Sequence, residues 1–403
     1  MFFFVRAVNL DDGKQISNLV EHYDYETLLT SLDSKGLIPS SITPVPGFLT
    51  PVFSYFSKQV KADDVIELMD NLHLVIKAGL PLYQGILDIA YDTKNNRFKT
   101  MLEKIANDVN QGKSLSEAFA VYEDVIGVMI LNLIRIGEET GKLEATLKRA
   151  SEFLKRTTAL KRKAKSALIY PTFAFLAVTA AMIVWMVYVL PQMTELFKSM
   201  EIQLPPLTIF IMNLSDFMSA YISYMLIGLV IFIIGFKLLH KRYRKVRLFT
   251  DKLVLKIPVI KQIVSGFNMA FISEYLQLSL VSGIPVFSSL ETLGENLKNE
   301  VYKGALQKAT KDVSHGSQLS DAFKKRRVFS PFMLRMMSVG EAAGTLDAQL
   351  HIISTYYYER VDYYAQNIGK VIEPVVLIFV GAFMTLVIVG LMGPMYDLIS
   401  NIN

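Results

Sequence analysis

Four carboxylates recur at matching places in this chain. Glu138 and Glu144 lie in Gly137-Glu138-Glu139-Thr140-Gly141-Lys142-Leu143-Glu144, and Glu341 and Asp347 lie in Gly340-Glu341-Ala342-Ala343-Gly344-Thr345-Leu346-Asp347, 203 residues later. Carboxylates at such a corner have two readings. They can cap helix ends and pair with nearby Lys or Arg. They can also form a docking surface, or a hard-cation site completed by another subunit, because carboxylate oxygens suit such ions.

Other chemistries find less support. A phosphate-cradling loop needs Gly-x-x-x-x-Gly-Lys-[Ser/Thr] after a strand. Gly112-Lys113-Ser114 supplies only the end, because position 107 is Asn; Gly141-Lys142 is followed by Leu143, and position 136 is Ile. The five histidines (His22, His73, His240, His315 and His351) form no His-x-x-x-His pair, which argues against histidine-ligated metal catalysis. With no cysteine there is no disulfide framework, zinc ribbon or catalytic thiol.

The elements that must position the carboxylates belong to a membrane protein. The chain has 403 residues, 52% hydrophobic and 20% charged. Its mean hydropathy of +0.34 points toward lipid, yet the charge content is too high for a wholly embedded chain. Soluble domains tied to a few spanning helices reconcile the two. Three segments are uncharged over roughly the 20 residues a bilayer core requires: Leu168 to Leu190, Phe217 to Phe236 and Pro374 to Tyr396.

Basic flanks give an expected orientation. Lys155, Arg156, Lys161, Arg162, Lys163 and Lys165 precede the first span, and Lys237, Lys241, Arg242, Arg244, Lys245 and Arg247 follow the second. Positive charge stays on the cytoplasmic side. Residues 1–167 and 237–370 are therefore expected in the cytoplasm, with a short outer loop at 191–216 and a periplasmic tail. The apolar start, Met1-Phe2-Phe3-Phe4-Val5, is cut short by Arg6, Asp11, Asp12 and Lys14, so no export signal is expected. The net charge of +5 is largely this membrane-flanking excess, and nucleic acid is not expected as a partner.

The two cytoplasmic regions repeat each other. Ala78-Gly79-Leu80-Pro81-Leu82 matches Ser282-Gly283-Ile284-Pro285-Val286 at an offset of 204. Gly112-Lys113-Ser114-Leu115-Ser116-Glu117-Ala118-Phe119 matches Gly316-Ser317-Gln318-Leu319-Ser320-Asp321-Ala322-Phe323 at the same offset. Tyr170-Pro171, at the head of the first span, matches Glu373-Pro374, at the head of the third. Tyr170, Pro171 and Pro374 fix helix entry angles or contact a partner's membrane helix, and Glu373, at the membrane edge, is a snorkelling cap or contacts another helix. Each copy is thus a helical domain followed by a spanning helix. Helical spacing (Leu68, Leu72, Val75; Leu276, Leu280) and Gly-x-Pro punctuation make the units all-α bundles. In the Leu-Ser-[Glu/Asp]-Ala-Phe motif the serine is expected to cap a helix.

The expected layout is a small N-terminal cytoplasmic segment and linker at 1–60, a first helical domain at 61–167, spans at 168–190, 217–239 and 371–396, a second helical domain at 240–370 and a tail at 397–403. Within the first segment, a short strand is expected at residues 3–7, a turn at Asp11-Asp12-Gly13, a helix from Tyr25 to Lys35 ended by Gly36-Leu37-Ile38-Pro39, and a linker from Thr43 to Pro51. The span interiors hold Thr179, Thr385 and glycines but no charge, and Glu373 lies at the membrane edge, which makes a poor transport pathway.

On the opening Arg6-Ala7…Asp12-Gly13-Lys14…Lys35-Gly36-Leu37-Ile38-Pro39, the Ala-Gly-Leu-Pro-Leu motif at 78–82, the two Gly-Glu-x-x-Gly-x-Leu corners and Tyr170-Pro171, the chain resembles the type II secretion F family. These are the inner-membrane platform proteins of type IV pilus, type II secretion and DNA-uptake machines. The resemblance covers nearly the whole chain and implies two six-helix cytoplasmic domains, three spans and no enzymatic activity. It further implies coupling of a cytoplasmic hexameric ATPase to pilin or pseudopilin helices, alongside other inner-membrane assembly proteins, in a homo-oligomer. Partner contacts would fall at Glu138, Glu341, Gly141, Gly344, Tyr170, Pro171, Glu373 and Pro374. A divalent cation such as calcium at Glu144 and Asp347 is implied by some relatives. The chain departs from the family where copy one has Asp124-Val125-Ile126 in place of a Phe-Pro-like pair, kept as Phe329-Ser330-Pro331 in copy two, and where Glu373 replaces a tyrosine. The rival readings are a transporter or channel subunit with regulatory domains, and a membrane enzyme using the acidic corners.

Overall fold

A computed structural model describes residues 2–9, 15–21, 25, 28, 29, 32, 37–44, 60–167, 169–199 and 206–402. Its contacts divide the chain into two units, Met1–Leu154 and Lys155–Asn403.

The first unit opens with an antiparallel sheet of order β2-β1-β3, made of β1 (Phe2–Asn9), β2 (Gln15–Glu21) and β3 (Leu37–Pro44). Phe3, Val5 and Ala7 alternate inward and pack with Leu28, Leu32, Leu37 and Ile42, while Phe4 and Arg6 face out. The strand expected at 3–7 is there with two partners. Leu37–Pro39, expected as a helix stop, and Thr43 and Pro44, expected as linker, instead form β3. The edge position tolerates its two prolines, which cannot donate to a ladder on both sides. The rest of the expected linker, the Asp11-Asp12-Gly13 turn and most of the expected Tyr25–Lys35 helix fall outside the described residues.

The first bundle follows as α1 (Ala62–Lys77), α2 (Leu82–Asp92), α3 (Asn96–Asn110), α4 (Leu115–Ala120), the single turn α5 (Glu123–Ile126), α6 (Val128–Glu139) and α7 (Leu143–Ala167), which runs on into the second unit. Its core is built from apolar residues at helical spacing, among them Leu68, Leu72, Leu102, Ile105, Leu133 and Leu147, all fully buried.

In the second unit, α8 (Ile169–Val184), a π turn at Trp185–Val189 and α9 (Leu190–Ser199) lead to α10 (Pro206–Arg242) and then to α11 (Arg244–Val254). The second bundle comprises α12 (Pro258–Val281), α13 (Val286–Asn296), α14 (Glu300–Ser314), α15 (Leu319–Lys324), α16 (Pro331–Ala343) and the 57-residue α17 (Leu346–Ile402). Within it Tyr302 is buried, T-stacked on Phe329, and donates its hydroxyl to the Val328 carbonyl at 3.3 Å. Burial pushes its phenol above the usual tyrosine range.

The repeat is legible helix by helix. Helices α1, α2, α3, α4 and α6 correspond in order to α12, α13, α14, α15 and α16, and three glycine pairs at the corners share positive φ: Gly79 and Gly283, Gly112 and Gly316, Gly141 and Gly344. The copies differ where the sequence departs from the family. Copy two starts α16 with the Ser330 hydroxyl accepting from the Met333 amide and Pro331 in the first turn; copy one starts α6 after Gly127, at φ 87°.

Among the described residues, three helices are long and apolar enough to cross a membrane: Leu143–Met193, Thr208–Arg242 and Leu346–Val389. Helices α11 and α12 meet the same measure only when joined across a 116° bend. The stretch of α12 from Gly266 to Ser279 carries its buried residues, 11 of the helix's 24, so it serves as a core helix. The stretch expected as an outer loop, 191–216, is largely helical, because α9 ends at Ser199 and α10 begins at Pro206. Thr208, Ile211, Met212 and Ser215 place one buried stripe along this turn of α10. The Ser215 hydroxyl donates to the Met186 carbonyl at 2.5 Å, satisfying a group that the π turn takes out of the α-helical ladder. Phe175 meets Phe379 at 5.5 Å and Trp185 meets Phe383 at 5.6 Å, so α8 and the π turn pack on α17.

Candidate functional site

The two acidic corners are built alike. In copy one both oxygens of Glu138 accept backbone N–H groups at the start of α4, from Leu115 at 2.5 Å and Ser116 at 2.9 Å. In copy two Glu341 accepts from Leu319 at 2.6 Å and Ser320 at 2.8 Å. Each glutamate therefore ties the corner to the N-terminus of the short helix that precedes it, satisfying amides that have no partner within that helix. This corrects the expected role of the motif serines. Ser116 and Ser320 are buried just inside their helices, and their amides are the ones held. The serine that caps α4 is Ser114, whose hydroxyl accepts from the Glu117 amide at 3.1 Å while Glu117 reaches back to the Ser114 amide at 3.1 Å.

The glycines of the corner do two jobs. A Cβ on Gly137 would lie 2.0 Å from Thr146 Oγ1 and 3.0 Å from Leu143 Cα, and one on Gly340 would lie 2.9 Å from Leu346 Cα. Only glycine lets α6 approach α7, and α16 approach α17, this closely. Gly141 and Gly344, both at φ 67°, turn the chain at the helix end, and the amides that follow return to the Gly137 and Gly340 carbonyls at 2.8 and 2.9 Å.

The other sequence candidates stand apart from this clamp. Glu144 is half exposed; its carboxylate lies 3.5 Å from His73 Nδ1, and the same nitrogen is 3.2 Å from its backbone carbonyl. Asp347 is exposed in the first turn of α17. Among the described residues, no three His, Asp or Glu side chains gather into a group that could hold a metal ion. Tyr170, Glu373 and Pro374 are exposed along their helices, and Pro171 lies in α8.

A second recurrent acid was not singled out by sequence. Glu274, two turns before the end of α12, is 5% exposed. It accepts the Tyr358 hydroxyl from α17 and lies 3.7 Å from the Arg156 guanidinium. The residue at the same place in copy one is Asp70 of α1, which accepts the Ser151 hydroxyl from α7 at 2.6 Å. In both copies the first helix of the bundle thus holds the last one through an acid and a hydroxyl. The longer glutamate reaches one turn further, since Ser151 corresponds to Ser354. The signal was present in Phe271-Ile272-Ser273-Glu274-Tyr275-Leu276, a lone carboxylate in an apolar run, a type that is seldom buried without a partner.

Helix α17 leaves this junction directly for the membrane. Below its apolar stretch Arg360 is stapled between Tyr356 and Tyr364, donating to the Tyr356 hydroxyl at 2.8 Å and standing 5.8 and 5.7 Å from the two ring centres. Pairs four residues apart on one helix face reinforce that helix.

A family model for the type II secretion system protein F matches residues 68–191 and again 272–394, together more than half of the chain. The chain belongs to the type II secretion system protein F family. The two matches coincide with the two copies seen in the helices. Among curated relatives, the type IV pilus assembly protein PilC of Pseudomonas aeruginosa is 28% identical over 85% of this chain and 91% of its own. The protein transport protein HofC homolog of Escherichia coli is 28% identical over 96% of this chain and 94% of its own. The type II secretion system protein F of Vibrio cholerae is 26% identical over 84% of each. Membership makes the chain a multi-pass inner-membrane platform protein of pilus or secretion machinery, and decides between that reading and the transporter reading.

Proposed function

We propose that the chain is a passive coupling element between a cytoplasmic hexameric ATPase and the membrane helices of pilin or pseudopilin subunits. Helix α17 carries the proposal. Its 57 residues run unbroken from the corner of the second bundle through the apolar stretch, about 85 Å at the usual rise per residue. A displacement applied to the bundle is transmitted along such a helix without loss in a hinge. The Glu274–Tyr358 bond and the Phe332–Tyr356 ring pair at 4.4 Å lock the bundle onto it, and the Arg360 staple reinforces the helix itself.

In this reading the bundles and both chain flanks 1–167 and 237–370 face the cytoplasm, and the C-terminus faces the periplasm, as the basic flanks favour. Glu138 and Glu341 act as clamps that shape the docking face, with Gly141 and Gly344 at its turns. The exposed Tyr170, Glu373 and Pro374 meet the partner's membrane helix together with Pro171. The chain itself catalyses nothing and works as a homo-oligomer matched to a ring. A cation at Glu144 or Asp347 would need ligands from another subunit.

The experiment is an insertion of three glycines after Gly369, between the bundle and the apolar stretch. The expected result is at least a tenfold loss of assembled pilus or pseudopilus, with the protein still in the membrane and still co-purifying with the ATPase. Assembly at the parental level would remove α17 as the coupling element.

A further inference from the structure

A cavity of about 680 Å³ opens where α10 ends, well away from the acidic corners. Lys237 and Lys241 enter it from α10 and Arg247 from α11; Lys298 and Lys303 enter it from the opposite wall, more than fifty residues further along the chain. Two carboxylates also line it, Glu295 and Glu300. Glu300 is already satisfied. It is 5% exposed, accepts from Arg244 Nε at 2.8 Å and lies 3.6 Å from Arg247, and its amide donates to Asp251 at 2.8 Å. Glu295 is exposed, and its backbone carbonyl takes the Lys303 ammonium. Among the described residues Lys237, Lys241 and Lys298 have no carboxylate at ion-pair distance. The cavity therefore holds a positive field that the protein does not neutralise.

Its place relative to the bilayer narrows the anion. Phe236, the last residue of the uncharged stretch of α10, forms part of the wall, and the helix above it presents Phe232 and Ile233 outward at 67% and 45% exposure. Helix α11 follows a break at Tyr243 and buries no residue. Phe249 and Leu253, one turn apart on it, are 68% and 52% exposed beside Lys245 and Lys252. An exposed apolar face bordered by basic residues, directly at the end of a membrane span, is what an interfacial helix presents to headgroups. Orientation alone would require basic residues on the flank of α10, but not a cavity completed by Lys298 and Lys303.

We infer that this cavity binds the phosphate of one anionic phospholipid, with the lysines around the headgroup and the acyl chains laid along Phe236 and the outer face of α10. The ligand is a phosphodiester, and the membrane is its source. The inference rests on α10 being embedded, and not on the coupling proposed for α17, so each can fail without the other.

The test is native mass spectrometry of the full chain purified in detergent and titrated with phosphatidylglycerol or phosphatidylcholine. The parental protein is expected to retain one phosphatidylglycerol at least fivefold more tightly than phosphatidylcholine. The Lys241→Gln/Lys298→Gln variant should lose that preference, while Lys165→Gln, a basic flank residue outside the cavity, keeps it. Inorganic phosphate at about 10 mM, roughly tenfold above the Kd of a millimolar phosphate site, should not displace the lipid. Unchanged retention by the double variant, no lipid preference in the parental protein, or displacement by phosphate would each overturn the assignment. Circular dichroism checks the fold, and Lys298→Gln alone, on an exposed loop position, repeats the comparison should the double variant lose helix content.

Discussion

Tyr358 donates its hydroxyl to the buried carboxylate of Glu274, joining α17 to α12 in the second bundle. Copy one makes the same junction with smaller groups, Ser151 to Asp70 at 2.6 Å. Because Glu274 is buried and Arg156 is half exposed, the two partners of the carboxylate should differ in weight. Glu274→Ala is expected to cost about 2–4 kcal/mol, since it strands a phenol and removes a buried charge partner. Tyr358→Phe should cost about 1.5–3 kcal/mol, and Arg156→Ala no more than about 1 kcal/mol, as for a solvent-screened pair. Thermal melting of the full chain in detergent ranks the three. A larger loss for Arg156→Ala than for Tyr358→Phe would contradict the assignment.

The acidic corners make a paired prediction. Glu138→Gln replaces one acceptor oxygen with an NH2 group facing the amides of Leu115 and Ser116, so one capping bond is lost and a donor meets a donor. A loss of about 1–2 kcal/mol is expected, and Glu341→Gln should match it, because the two carboxylates hold equivalent amides at equivalent distances. The readout is again the melting midpoint, with ATPase co-purification measured beside it. Normal melting with lost co-purification would make these carboxylates docking residues and not clamps.

Glycines at different places in the repeat should respond to alanine with opposite sign. Gly137→Ala puts a Cβ 2.0 Å from Thr146 Oγ1 and against the α7 backbone, and should destabilise by about 1–3 kcal/mol. Gly304→Ala, inside α14 with nothing within 4 Å of the added Cβ, should stabilise by up to about 1 kcal/mol. Equal shifts at both sites would show that α6 and α7 do not approach as closely as described.

Much of this was legible in the residues alone. The duplication, the three apolar segments, the helical class and the corner glycines follow from periodicity and from glycine's freedom at positive φ, which are local properties. The three-stranded sheet was half hidden, since β3 carries Pro39 and Pro44 and reads as punctuation unless its pairing with β1 is known. The helical start of α10 was hidden too, because half of its short buried stripe is polar, Thr208 and Ser215, and the partner of Ser215 lies on the π turn 29 residues away.

What the chain alone determined was the pattern: two helical copies, each followed by an apolar helix, with acids at matching places. What those acids do was decided only in three dimensions. Glu138 finds its amides 22 and 23 residues away, Glu274 its phenol 84 residues away, and the lysines at 237 and 298 a shared cavity. Hydrogen bonds and fields act over a few ångströms of space regardless of separation along the chain, so the spacing of a motif can propose a partner but only packing can supply it.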